Sequence, residues 1–322
     1  MRTLFTLAIV AVTVAAWGAI LPRYPYSVAA QSVSLDSPSG QDGCGYGPTH
    51  RLSQVREGTL HEASALVASQ QWPGTYWTFN DSGNSPTLFA IDEEGQARGT
   101  VQVTNATNVD WEALQLGPDG IGGYALYVGD IGDNKHRRRE SVIYRVPEPE
   151  PAPAGGEAST STTAPATAFR FMYPIAARNV EAMLVHPTSG ETVLISRGET
   201  GFSMVYRLPL PLSDQTTMML ELTGIIDARV LGPYNGEITD ATISPDARHV
   251  VVRTYSRALV YDVPDGASLA RIWSQEPRVY RLDDGAKGEG ISFRFNTLDL
   301  ISIGEGASPF LYQTDWLCQR EG

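Results

Sequence analysis

An acidic residue followed by small and apolar residues recurs five times along this 322-residue chain. The copies are His61-Glu62-Ala63-Ser64-Ala65-Leu66, Asp110-Trp111-Glu112-Ala113-Leu114, Asn179-Val180-Glu181-Ala182-Met183-Leu184, Ile238-Thr239-Asp240-Ala241-Thr242-Ile243 and Gly288-Glu289-Gly290-Ile291-Ser292. The acids lie 50, 69, 59 and 49 residues apart, a period that belongs to β-propeller blades rather than to helical solenoids.

The rest of each unit repeats as well. Second apolar runs end in polar turns at Asp81, Asp130, Arg197, Arg253 and Glu305, and third runs carry an aromatic at Phe89, Tyr144, Tyr206, Tyr261 and Tyr312. Short β-branched and aromatic runs between Gly, Pro, Asp and Asn are strand and turn signals, and no stretch between them keeps a helical period. Fourth strands are expected at Thr100–Val103, Phe169–Met172, Leu222–Ile226 and Ala270–Trp273. The fifth unit runs out of chain, so Arg51–Leu60 is expected to supply its outer strand and close the ring, which protects the edges. The expected fold is all-β, a single propeller of five four-stranded blades closed by the N-terminal strand. A sixth, degenerate blade near residues 215–234 is the alternative. The 69-residue interval contains Pro147–Ala168, a Pro/Ala/Thr-rich low-complexity stretch expected to be a disordered loop.

Residues 1–30 open with Met1-Arg2 and an apolar stretch from Leu4 to Leu21, and Val28 and Ala30 fit a small-residue cleavage pattern. They are expected to form a secretory signal peptide, with an uncleaved membrane anchor as the alternative. Residues 31–50 then form an extension and 51–322 the propeller. The net charge is −12, which disfavours nucleic acid and anionic membranes as partners because both need clustered positive charge. A membrane association is expected only if the N-terminal segment stays uncleaved. The run Lys135-His136-Arg137-Arg138-Arg139 is a local exception, expected to be a solvated hairpin tip. The two cysteines, Cys44 and Cys318, lie near the two ends of the mature chain, and in an exported protein they are expected to form a disulfide where the ring closes.

In a propeller the first strand of each blade lines the central channel, so Glu62, Glu112, Glu181, Asp240 and Glu289 are expected to converge on one rim. At about 6 Å and an effective dielectric near 20, each like-charged pair costs roughly 3 kcal/mol, so compensation is required. The second-strand ends supply it unevenly. Glu62, Asp81, Asp110, Glu112, Asp130, Glu289 and Glu305 make an acidic arc, whereas Arg197 and Arg253 answer Glu181 and Asp240 and mark a ligand-binding flank. Oxygen-only donors without a His or Cys cluster suit calcium over zinc. The turns Asn80–Asn84 and Gly129–Asn134 add oxygen donors, although Asp, Asn and Gly also favour turns for backbone reasons alone. There is no Gly-Xaa-Ser-Xaa-Gly elbow, and the five histidines are scattered without metal-ligand spacing. His61 beside Glu62 is expected to bond locally rather than act as a base.

The stretches Trp77-Thr78-Phe79-Asn80-Asp81-Ser82-Gly83, Leu88–Gly95, Asp110–Leu114 and Tyr127–Asn134 resemble a group of exported bacterial propellers described as WD-repeat-like. More distantly, they resemble the SdiA-regulated and phytase-like propeller families. The resemblance covers roughly residues 60–312 and implies the propeller; its phytase-like branch implies calcium-dependent phosphoester hydrolysis. The expected function is a secreted propeller that binds a ligand or protein partner at an acidic, calcium-occupied axial rim. The alternative is a calcium-dependent hydrolase of the phosphoesterase type, less readily a glycosidase. Whether Arg197 and Arg253 face an open pocket or are spent on neighbouring acids separates the two.

Overall fold

A computed structural model describes residues 30–32, 43–198, 200–231, 236–285 and 287–318. The expected signal peptide or anchor lies outside the described residues except for Ala30. In chain order the strands are β1 (Ala30–Ser32), β2 (Cys44–Gln54), β3 (Val67–Ala68), β4 (Thr75–Phe79), β5 (Thr87–Asp92), β6 (Ala97–Gln102), β7 (Trp111–Pro118) and β8 (Tyr124–Asp130). Then come β9 (Ser141–Pro147), β10 (Ser159–Thr162), β11 (Thr167–Met172), β12 (Val180–Val185), β13 (Thr192–Ser196), β14 (Phe202–Arg207), β15 (Met218–Met219) and β16 (Glu221–Asp227). The last are β17 (Ile238–Ile243), β18 (His249–Thr254), β19 (Arg257–Asp262), β20 (Arg278–Arg281), β21 (Gly288–Phe293), β22 (Leu300–Gly304) and β23 (Phe310–Cys318).

These strands make five separate antiparallel sheets of four strands, three of which carry a fifth strand. Each sheet is one blade, and the fold is a single five-bladed propeller. The innermost strands, β3, β7, β12, β17 and β21, pack against one another in that order around the axis. They are buried along almost their whole length, polar residues included, while outer strands such as β11 and β16 alternate buried with more exposed positions. The core is distributed as layers between neighbouring blades. Trp77 and Phe79 of blade 1 meet Trp111 and Tyr144 of blade 2, with Trp77 and Trp111 sealed from solvent.

Closure works as the fold requires. β2 pairs antiparallel with β23 as the fourth strand of blade 5, and the Cys44–Cys318 disulfide joins residues directly opposite each other in that pairing. The closing strand begins at Cys44, earlier than the expected Arg51–Leu60 segment, so residues 44–50 belong to the propeller rather than to an extension.

Three other expectations are corrected by one device. In blades 2 and 3 the connection between third and fourth strands reaches back and adds a parallel outer strand to the preceding blade: β10 on β6, and β15 on β11. In blade 4 the same connection forms a 3-10 helix, Leu269–Ser274, which packs on β16 of blade 3. The Pro147–Ala168 stretch is therefore ordered. The Arg98 guanidinium donates to the Ala152 carbonyl at 2.6 and 2.8 Å, Trp77 Nε1 donates to Glu148 at 2.9 Å, and Thr104 Oγ1 donates to the Thr163 carbonyl at 2.8 Å. Low complexity cannot fill a core, but a strap needs only backbone pairing and a few anchors. Ala270–Trp273 lies in the 3-10 helix and β20 is the true fourth strand. The described residues between 215 and 231 supply β15 and β16 to blades 2 and 3 rather than a sixth blade.

Candidate cation site on the axial face

The inner strands start at one face of the ring, and four of them carry a β-bulge there. Pairing slips between Trp111 and Ala113, Val180 and Ala182, Ile238 and Asp240, and Gly288 and Gly290. The extra residue in each case is Glu112, Glu181, Thr239 and Glu289. Bulges re-aim side chains near functional sites, and here they turn three glutamates towards the hub. In blade 1 the Ala63–Asn80 bridge aligns Ala63 with Trp111, which places Ser64 at the glutamate position.

This register corrects the sequence alignment. Glu62 is equivalent to Asp110, two residues before the bulge, along with Asn179, Glu237 and Lys287. Asp240 follows the bulge by one residue and aligns with Ala113 and Ala182. On the second strands, Asp81, Arg197, Tyr255 and Glu305 occupy matching positions, whereas Asp130 precedes that position by one residue and Arg253 by two. A one-residue offset in a strand turns a side chain to the other face.

Asp81, Asp110 and Glu112 each offer a carboxylate oxygen, and these lie within 4.8 Å of one another. Glu112 is buried and the other two half-buried. The positions are fixed from behind. Asn108 donates from Nδ2 to the carbonyls of Asn80 and Asp81, at 3.0 Å each, and accepts from the Trp111 amide at 3.1 Å. Asp130 accepts from the amides of Val109 and Asp110 and is clamped by Arg138 at 2.7 Å. Gly132 closes the site, since a Cβ there would sit 2.5 Å from the Asp110 carboxyl and 2.7 Å from Glu112 Oε1.

Crowding and burial hold all three acids towards their protonated forms. Asp110 is pushed up to about 6 by burial and then by Asp81, with Arg138 opposing. Asp81 is raised by burial with Glu62 and Glu305 adding to it. Glu112 is raised well above the usual range by burial, Glu181, Asp81 and Asp110. A cation placed among them removes that penalty by favouring every charged form.

Most of the rest of the rim is internally paired. Glu181 accepts from Arg197 at 3.1 Å and from Asn179 at 2.8 Å. Arg197 also reaches Glu237 at 3.0 Å and Tyr255 at 2.8 Å. Ser64 donates to Glu112 at 2.8 Å. Glu289 is raised to about 8 by burial, Glu181 and Glu305. Glu62 accepts from Asn84 at 3.0 Å, with His61 3.8 Å away, and His61 meets the Thr59 carbonyl at 2.8 Å.

Of the expected acidic arc, the structure thus brings Asp81, Asp110 and Glu112 together in one cluster. Glu62, Glu289 and Glu305 stand beside it, Glu305 paired with Lys287 at 2.7 Å. Asp130 lies behind as a fully buried support, and Arg138 of the basic run is spent on it rather than solvated. Arg197 does answer Glu181. Arg253 does not bond Asp240: it is sealed from solvent against Asp284 at 3.0 Å. Asp240 is held instead by the amides of Ala241 and Ile291, at 2.8 and 2.9 Å. Sequence reasoning missed Ser64, Asn108, Gly132, Asn179, Glu237 and Tyr255. Asn108 and Asn179 carried a signal, each lying just ahead of a repeat acid.

No family model matches the chain, and no curated protein matches it. Among solved structures, the β-propeller domain of Cps50 (Swd1) from Myceliophteria thermophila aligns over 83% of this chain and 99% of that one, with 11% identity and a TM-score of 0.44.

Proposed function

We propose that the protein is a binding propeller whose axial face holds a divalent cation between Asp81, Asp110 and Glu112 and uses it to capture a ligand or protein partner that presents oxygen donors. The observation that carries this reading is the convergence of the three carboxylates within 4.8 Å at the channel mouth. Oxygen-only donors, with no His or Cys in the set, favour calcium, which accepts carboxylates, carbonyls and bound partner oxygens in a flexible shell. A rigid seat for the ion comes from the Asn108 and Asp130 hydrogen bonds behind it. Export is part of the proposal, supported by the Cys44–Cys318 disulfide, because such bonds persist in oxidising compartments. Among the described residues no helix is long and apolar enough to cross a membrane.

Binding is favoured over hydrolysis by the state of the arginines. Arg197 is engaged by Glu181, Glu237 and Tyr255, and Arg253 by Asp284, which leaves neither to grip a transferring anion. The test is a thermal melt of the mature protein with calcium, magnesium or chelator. The reading expects calcium to raise the midpoint more than magnesium does, and an unchanged midpoint in all three would overturn it.

A further inference from the structure

Arg257 of β19 and Arg281 of β20 stand directly opposite each other in the antiparallel pairing of blade 4. Like charges at directly opposed positions destabilise a sheet, and in a chain with net charge −12 such a pair calls for compensation. Both side chains line a cleft of about 500 Å³, together with Ser256, Leu282, Asp283 and Gly285. The cleft floor is fixed, because the Leu282 amide donates to the Ser256 carbonyl at 2.9 Å. Each guanidinium has five donors. Among the described residues, Arg281 gives its Nε to Asp283 at 2.6 Å and Arg257 one Nη to the Ser256 carbonyl at 3.2 Å. The Arg281–Asp283 pair is largely exposed, at 72% and 56% for the two side chains, so it holds Arg281 weakly. The cleft adjoins the hub through Tyr255, which precedes Ser256 and accepts from Arg197.

We infer that this cleft is a binding site for a phosphoryl-type oxyanion, gripped by the Arg257 and Arg281 forks. Two planar guanidinium groups suit the paired oxygens of a phosphate, and an anion between them would relieve the repulsion that the exposed Arg281–Asp283 pair screens only in part. The site is separate from the cation seat and does not depend on it.

Inorganic phosphate is the probe. Melting midpoints of the mature protein are compared in phosphate and in chloride at equal ionic strength, with a chelator present so that no divalent cation contributes. Phosphate is expected to raise the midpoint of the unaltered protein. Arg257→Gln and Arg281→Gln are each expected to lose most of that rise, with affinity weakened about tenfold or more. Broadening of the phosphorus NMR line on titration with protein gives the same comparison without melting. No rise in the unaltered protein, or a rise that either variant largely keeps, overturns the inference. Failure of calcium binding at Asp110 would leave this outcome unaffected.

Discussion

Arg253 and Asp284 face each other at 3.0 Å with both side chains sealed from solvent. Arg253 also donates to the Gly290 carbonyl at 3.0 Å, and Ser302 donates to Asp284 at 2.5 Å, so the pair locks blade 4 to blade 5. Gly288 is obligatory beside it, since a Cβ there would fall 1.6 Å from an Arg253 nitrogen. Removing one partner strands a buried charge. Asp284→Ala is expected to cost about 3–5 kcal/mol, read as a lower urea midpoint. A loss well under 1 kcal/mol would contradict the structural role given to this pair.

Gly132→Ala is expected to disrupt the cation seat while the blades persist, because the added methyl would meet the Asp110 carboxyl at 2.5 Å. Calcium affinity should fall by about tenfold or more, while the loss of stability stays in the range of about 1–3 kcal/mol typical of overpacking. Calcium titration followed by calorimetry checks this, with far-ultraviolet circular dichroism to confirm the fold.

The strap should open when its clasp is removed. Arg98 holds the Ala152 carbonyl through two donors and Thr75 Oγ1 through a third, at 2.6 Å. Arg98→Ala is expected to speed protease cleavage between residues 152 and 163 relative to the unaltered protein. Timed proteolysis with mass spectrometry locates the cut.

Stability of the cation-free protein should depend on pH through Glu289. Its carboxyl is raised from 4.5 to about 8 by burial, Glu181 and Glu305. The folded state therefore binds this proton more tightly than the unfolded chain does. Its contribution is fully present below about pH 4.5 and is lost as pH rises towards 8. The melting midpoint in chelator is expected to fall across that window, and Glu289→Gln, which cannot ionise, is expected to make the fall shallower while Asp110, held up to about 6, keeps its own share of it. Melts at closely spaced pH values provide the measurement.

Much of this architecture can be read from residues alone, because blade period and strand composition are properties of the chain. Glu112, Glu181 and Glu289 are recognisable for the same reason: each sits just before a buried apolar run. What sequence does not carry is the bulge. One extra residue at the start of an inner strand leaves the spelling of the repeat unchanged and shifts the register, so Glu62 aligns with Asp110 rather than Glu112, and Asp240 aligns with Ala113 and Ala182 rather than with the glutamates. The same blindness hides Asp130 and Arg253, whose partners Arg138 and Asp284 lie 8 and 31 residues away. The straps escape detection because Ser159–Thr162 gains its order from β6 of the preceding blade and not from its own composition.

The most direct test of the central claim is calcium bound per protein after exhaustive dialysis, measured on the unaltered protein and on Asp110→Asn. The account predicts retained calcium in the first and a marked loss in the second, with both proteins folded. Equal calcium content in the two, or none in either, would contradict it.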